Sequence, residues 1–333
     1  MAFRTLPASI WLIQKFPRQK KDHMAKQLST PTGSRPLWET PEITGINRLP
    51  GRATLFPFPS EELAAQRRRE ASPWFAAVNG PWRFGWAPNP ESAPADFMAP
   101  DFDERGWSDI VVPGSWQRQM PYDQPIYVNT RPFDELPPLA PVLDNPTGLY
   151  RTRITVPAAW AGRRIVLHFG GVESYGEIWL DGKPVGVIKD SRLPSEFDIT
   201  GIASPGREQV LALRVLRWSD SSHIEDQDHF RFSGIHREVL LYSTAAMFIE
   251  DVFAKPTLDD SYRNGRLSVE VRLGRQSLWP SGWKVRARLF DPLGAEVWKT
   301  AVERGVNTST QDSQKTTGQR SVLECPEIGS VRP

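Results

Sequence analysis

The sequence predicts an all-β protein, and three observations carry that prediction. Short apolar segments with alternating or near-continuous hydrophobicity follow one another from residue 149 onward. The 31 prolines and 24 glycines of the 333 residues supply turns between short strands. No succession of strand and long helix is present, which excludes a parallel α/β barrel within this chain.

The elements follow in order. "PSEELAAQRRREAS" (59–72) is the one helical segment. Ser60 can cap it, and Glu61 and Glu62 suit the positive end of its dipole. "LYRTRITV" alternates, and "RRIVLHFGGV" is an apolar run ending at Gly170-Gly171. "GEIWLDGKPVGVI" holds two runs joined at Asp181-Gly182, a dipeptide that tolerates the positive φ angles of a tight hairpin. "EQVLALRVLRW" and "REVLLYS" close an antiparallel β-sandwich. A second group follows in "MFIEDVFAKP", "GRLSVEVRLG" and "WKVRARLFDPLGAEVWKTAV". In "LSVEVRL", Leu267, Val269, Val271 and Leu273 face one way. That is about half of an immunoglobulin-sized sandwich.

Hydrophobic residues make up 39% and charged residues 24% of the chain, values of a globular protein. Thirteen tryptophans suit a β core better than exposed stacking platforms. The net charge of +2 is uneven: residues 1–35 carry +6, leaving −4 for the rest. The first 35 residues read as a basic, disordered tail, and the body offers no face for nucleic acid. No apolar run reaches the ~18 residues of a membrane span. A single cysteine, Cys325, excludes an internal disulfide and suits a reducing, cytoplasmic compartment. Met24 opens a more ordinary start than Met1, so residues 1–23 read as an upstream extension. Residues 307–333 are polar, without alternation, and read as an unstructured tail of the kind a shifted reading frame encodes.

Chemistry concentrates in "RWSDSSHIEDQDHFRFSGIHREV" (217–239). It holds Asp220, Glu225, Asp226 and Asp228, with His223, His229 and His236 beside Phe230 and Phe232. The histidines are six and seven residues apart, which matches no zinc spacing, and the acids miss the EF-hand pattern. Three readings stand. The acids can salt-bridge to Arg217, Arg231 and Arg237 as a solvated loop. They can serve acid–base chemistry, which in glycosidases needs two opposed carboxylates. Or Asp228 beside Phe230 can grip a sugar ring.

The same segment closely resembles one of the β-galactosidases of glycoside hydrolase family 2. So do "LWETPEITGINRLP" (37–50), "NGPWRFGW" (79–86), "VVPGSWQ" (111–117), "YDQPIYVNTRPF" (122–133), "DNPTGLYRTRITV" (144–156) and "KDSRLPSEFDIT" (189–200). The matches keep the family's order, strongly over 36–245 and more loosely to 300. The resemblance implies a jelly-roll sugar-binding domain at 36–245. It also implies an incomplete immunoglobulin-like sandwich at 246–306, with disordered tails on either side. It implies that Asn129 and Asp228 contact a galactosyl group, and that Asp228 ligates sodium in a complete enzyme. His229 stands where relatives carry an apolar residue. The family's catalytic glutamates, its magnesium ligands and its other sodium ligands belong to a (β/α)₈ barrel that this chain does not contain.

The expected function is therefore that of the non-catalytic N-terminal part of a retaining β-galactosidase, inactive alone. Its ligand is a β-galactoside, with the missing barrel as a partner in trans. Magnesium and sodium are implied for the complete enzyme and no cofactor for this chain alone. Two alternatives remain, a stand-alone carbohydrate-binding module and a complementing subunit for a separately encoded barrel. The second sandwich is expected to be marginally stable and prone to aggregate, because its sheet edges and one apolar face lie open.

Overall fold

The computed structural model describes residues 35–128, 130–225, 228–276, 282–298 and 300–305, and the backbone of 317–324. Nearly all regular structure is β. Two sheets face each other. The first is Gly45–Ile46 (β1), Phe84-bearing Gly80–Ala87 (β3), Ser108–Val112 (β4), Thr147–Thr155 (β7), Tyr175–Leu180 (β9), Lys183–Ile188 (β10) and Glu208–Leu216 (β12). Their spatial order is β1-β10-β9-β12-β7-β3-β4. The second sheet joins Phe75–Ala77 (β2), Arg164–Phe169 (β8), Ser195–Asp198 (β11) and Val239–Thr244 (β15) in the order β11-β8-β15-β2. All pairings in both sheets are antiparallel.

The core lies between the sheets. Trp82, Phe84, Trp116, Tyr150, Trp160, Phe169 and Phe197 are fully buried there among Ile, Leu and Val. The tryptophans thus fill the core, where large apolar area removed from water stabilises most. The outer face of the seven-stranded sheet is buried too. Phe97, Met98, Phe102 and Trp107 cover Leu149, Trp179 and Ala212 on one half. Leu37, Trp38 and Ile43 cover Tyr175, Val187 and Leu216 on the other. That double burial explains why β12 reads as a near-continuous apolar run rather than a clean alternation.

Local chemistry agrees with these elements. Leu180 and Lys183 close the β9–β10 hairpin, and Asp181 and Gly182 between them take φ of 49° and 71°. Both central residues are left-handed, as a type I′ turn requires. Ser60 does cap a helix, accepting from Leu63 N, but the helix covers only Glu61–Ala65 (α1). Arg67 at φ 54° ends it, short of the span expected from the sequence.

Residues beyond 245 form two smaller sheets. Met247–Leu258 (β16) and Gly265–Arg275 (β17) pair antiparallel, and Lys284–Ala287 (β18) pairs with Val302–Gly305 (β19). Val269, Val271 and Leu273 are buried on the expected face of β17, against Val285 and part-buried Val252, Leu267 and Val302. Between β18 and β19 the chain turns back through one isolated bridge, Phe290 to Glu296. The sequence expectation of an unstructured tail at 307–333 is corrected in one stretch. Thr317–Glu324 forms a strand (β20) antiparallel to β17, from Ser268 opposite Glu324 to Gly274 opposite Thr317. The edge of β17 offers unpaired backbone groups, and a partner strand satisfies them without any side-chain alternation. The remaining residues of both expected tails, apart from Arg35, lie outside the described residues. No helix among the described residues is long and apolar enough to cross a membrane.

Candidate functional site

The acidic segment lies at one end of the sandwich, and the other sequence matches hold it there. Two short ribbons do the joining. Gly114–Ser115 (β5) pairs with Gly234–Ile235 (β14), and Ile126–Val128 (β6) pairs with His229–Arg231 (β13). Trp116 N donates to Ser233 O at 3.2 Å, and Ser233 N to Gln117 Oε1 at 3.0 Å. The "VVPGSWQ" and "YDQPIYVN" matches thus run antiparallel beside the end of the acidic segment.

A buried polar scaffold lies beneath the ribbons. Asp123 accepts from Trp116 Nε1 and Gln117 Nε2, both at 2.8 Å, and from the Arg217 guanidinium. Arg217 also donates to Gln124 O at 3.1 Å and Arg231 O at 3.2 Å, so one side chain ties β13 to the segment leading into β6. Burial pushes the Arg217 pKa down, and Asp123 offsets part of that. Lys189 Nζ, also buried, donates to Asp220 Oδ2 at 2.6 Å and to the carbonyls of Leu37 and Thr40. Burial raises the Asp220 carboxyl, and Lys189 opposes it. Asn145 brackets Trp218, accepting from its N at 2.9 Å and donating to its O at 3.0 Å. Ser191 N donates to Glu225 Oε1 at 2.9 Å. The turn at Asp220–His223 is closed by a capping box between Ser219 and Ser222.

The solvated-loop expectation is corrected in its partners. Arg217 pairs with Asp123, outside the loop, while Asp220 and Glu225 bind Lys189 and Ser191. Arg237 donates to the Arg192 carbonyl at 2.8 Å. These contacts were illegible in the sequence because every partner is more than thirty residues away, apart from Arg231.

Two of these histidines, His223 and His229, have hydrogen-bond partners within the protein. His223 Nε2 meets Leu139 O at 2.8 Å. His229 Nε2 lies 2.9 Å from Arg192 Nη2, and its Nδ1 lies 2.6 Å from Phe230 O. The neutral Nδ1–H tautomer satisfies both contacts. Arg192 also bridges Glu173 at 3.0 Å. Burial raises the Glu173 carboxyl, and Arg192 pulls it back. His236 packs on Gly171, where a Cβ would come within 2.6 Å of its Nε2.

Above the scaffold, three groups stand in solvent: Asp228, Tyr127 and Phe230. Tyr127 OH donates to Asp228 Oδ1 at 2.6 Å, and this bond to a carboxylate raises the phenol's pKa. The Tyr127 and Phe230 rings lie 5.3 Å apart, directly opposite in the β6–β13 register. Among the described residues Asp228 Oδ2 has no partner, and such an oxygen beside an aromatic surface is the equipment for gripping a polyol ring. Tyr127 was missed from sequence, though it sits two residues before Asn129 in the same match.

Asn129 itself lies outside the described residues. Asp228 is an oxygen donor of the kind a hard cation takes. Among the described residues no three His, Cys, Asp or Glu side chains converge on one point. Asp228 therefore fits one place in a ligand shell and no more.

Comparison with known proteins accounts for this arrangement. Residues 75–245 match the family model described as glycosyl hydrolases family 2, sugar binding domain. The chain belongs to glycosyl hydrolase family 2. Among family relatives, the protein named beta-galactosidase of Psychromonas ingrahamii is 41% identical over 255 residues, covering 76% of this chain and 24% of that protein. The beta-galactosidase of Priestia megaterium is 36% identical over 310 residues, 90% of this chain and 29% of its own length. The chain thus spans about a quarter of the length of the relatives it matches. A Bacteroides uniformis beta-glucuronidase superposes with a TM-score of 0.57 at 16% identity, over 77% of this chain and 28% of that one. A family 2 member from Bacteroides cellulosilyticus gives 0.56 at 20% identity, over 78% and 32%. At those identities the superpositions establish the fold alone.

Proposed function

We propose that this chain is the non-catalytic N-terminal part of a cytoplasmic, retaining β-galactosidase and contributes one side of its sugar site. The observation that carries the reading is the β6–β13 pairing. It holds the Tyr127–Asp228 hydrogen bond in solvent. In this reading Asp228 accepts hydrogen bonds from galactosyl hydroxyls, Tyr127 orients it, and Asn129 completes the edge. The paired carboxylates of a retaining mechanism, ~5–5.5 Å apart, would come from the part of the relatives that this chain does not span. A sodium ion would take one oxygen from Asp228 and would supply charge to orient a hydroxyl. Magnesium would take no ligand from this chain.

One side of a pocket gives few contacts. A neutral hydrogen bond contributes about 1 kcal/mol net and one to a charged group about 1.5–3, less than association costs. The chain alone should therefore neither hydrolyse o-nitrophenyl β-D-galactoside nor bind galactose measurably.

The test is a hybrid in which residues 36–245 replace the matching region of the Priestia megaterium relative. An active hybrid whose kcat/KM falls about tenfold or more on Asp228→Ala or Asn129→Ala supports the reading. Unchanged kinetics in both variants would refute the assigned roles. Saturable galactose binding by the isolated chain without turnover would favour a stand-alone carbohydrate-binding module instead. Activity regained on mixing the chain with a separate barrel would favour a complementing subunit.

A further inference from the structure

A cavity of about 710 Å³ lies far from the β6–β13 ribbon. It sits on the outer face of the four-stranded sheet, roofed by residues 49–64 and closed on one side by the first residues of β16. Its size is that of a small-molecule site, and its lining is mostly apolar. Phe56, Phe58, Trp74 and Phe248 supply aromatic surface.

Three arginines (Arg52, Arg163 and Arg164) and three glutamates (Glu61, Glu196 and Glu250) line the cavity, and they are unequally paired. Arg52 is committed: it holds Glu196 through two bonds, at 2.9 and 3.0 Å, and donates to Tyr242 OH at 2.7 Å. Glu196 also faces His168 at 3.0 Å. Burial alone would raise the Glu196 carboxyl, but His168 and Arg52 outweigh it and hold it below its usual range. Arg164 is committed to Asp198 at 3.0 Å and lies 4.3 Å over the Phe248 ring.

Arg163 differs. Its guanidinium lies 3.4 Å over the Trp74 ring, and Nε donates to Ser243 Oγ at 2.9 Å. Among the described residues no carboxylate pairs with it, whereas Arg52 and Arg164 beside it each have one. Burial without a counter-ion pushes its pKa down. With Nε given to Ser243 and the Trp74 ring beside the guanidinium, the Nη groups have no partner among the described residues. Those are the groups that take a planar carboxylate in a two-pronged contact.

We propose that this cavity binds a small amphipathic carboxylate, with its ring against Phe56, Phe58 and Phe248 and its carboxylate on Arg163. The inference is independent of the galactoside reading, since the cavity shares no residue with the β6–β13 ribbon. Glu250 lines the same cavity, with Oε2 buried and without a partner among the described residues. Burial raises its carboxyl, and Arg272, Arg164 and Arg52 oppose that shift.

Titration calorimetry on the full chain with 3-phenylpropionate, 3-phenylpropan-1-ol and acetate tests this. The acid should bind saturably, and the alcohol and acetate about tenfold or more weakly. Arg163→Gln should bring the acid down to the level of the alcohol while leaving the alcohol unchanged. Arg163→Lys, which keeps the charge and loses the fork, should fall between. Equal binding of acid and alcohol, no saturable heat at millimolar acid, or full affinity in both Arg163 variants would overturn the proposal.

Discussion

The sandwich before residue 245 and the sheets after it solve the same burial problem with very different means. The first encloses a layer of tryptophan, tyrosine and phenylalanine between two sheets and covers the back of the larger sheet as well. The second has a small aliphatic core centred on Val269, Val271, Leu273 and Val285. It leaves Phe253, Trp283, Phe290 and Leu293 exposed, Leu293 by 94%. Both use alternating strands, so strand pattern does not separate them. What separates them is how much apolar area each can remove from water, because stability scales with that area while the entropy cost scales with the residues ordered.

The sharpest way to break this contrast is to damage both cores. Phe169→Ala should cost about 3–5 kcal/mol, seen as a shift of the main urea transition. Val271→Ala should cost about 2 kcal/mol and move only a weaker, earlier transition. If the two variants shift one common transition equally, the regions fold as a single unit and the contrast fails. Of similar size is Asp123→Ala, which strands the buried Arg217 guanidinium. That change should cost about 3–5 kcal/mol, and Asp123→Asn should recover only part of it.

Limited proteolysis sharpens the comparison at lower energy. Cleavage should begin between 246 and 305, leaving a resistant fragment close to 36–245, and the intact chain should aggregate more readily than that fragment. An intact, monomeric 246–305 region after digestion would contradict the expectation of marginal stability.

A smaller effect concerns pH. His236 is held neutral down to about pH 4, because burial opposes its charge and Arg192 and Arg237 repel it. The unfolded chain takes up that proton near pH 6.5. Between those values the unfolded state binds more protons, so stability falls as pH drops from about 6.5 to about 4 and this contribution is constant below. His236→Gln should flatten that slope relative to the parent chain. Equal slopes in both proteins would place the pH dependence elsewhere. The smallest effect expected is Tyr127→Phe, which removes an exposed hydrogen bond and should leave the urea transition where it is in the parent chain. Its consequence should be confined to sugar recognition in the hybrid enzyme.

Much of this molecule was legible in the chain. The strands from 149 onward, the Asp181-Gly182 turn, the Ser60 cap and the inward face of β17 all follow from local periodicity and backbone preference. Such signals are carried by neighbouring residues, and no distant partner is needed to read them. The earlier strand β3 was missed from periodicity, although Trp82 and Phe84 alternate into the core, because glycine and proline interrupt the pattern. Asp228 was legible as a candidate by its sequence context. Tertiary structure decided the rest. It assigned Arg217 to Asp123, Lys189 to Asp220 and Tyr127 to Asp228 across separations of 94, 31 and 101 residues. It gave β17 a partner in a segment with no strand signal, since backbone pairing follows the available edge rather than side-chain pattern. Among the described residues it also left Arg163 without a carboxylate, while Arg52 and Arg164 in the same cavity are paired. A sequence states which charges exist, but burial and distance decide which of them are satisfied.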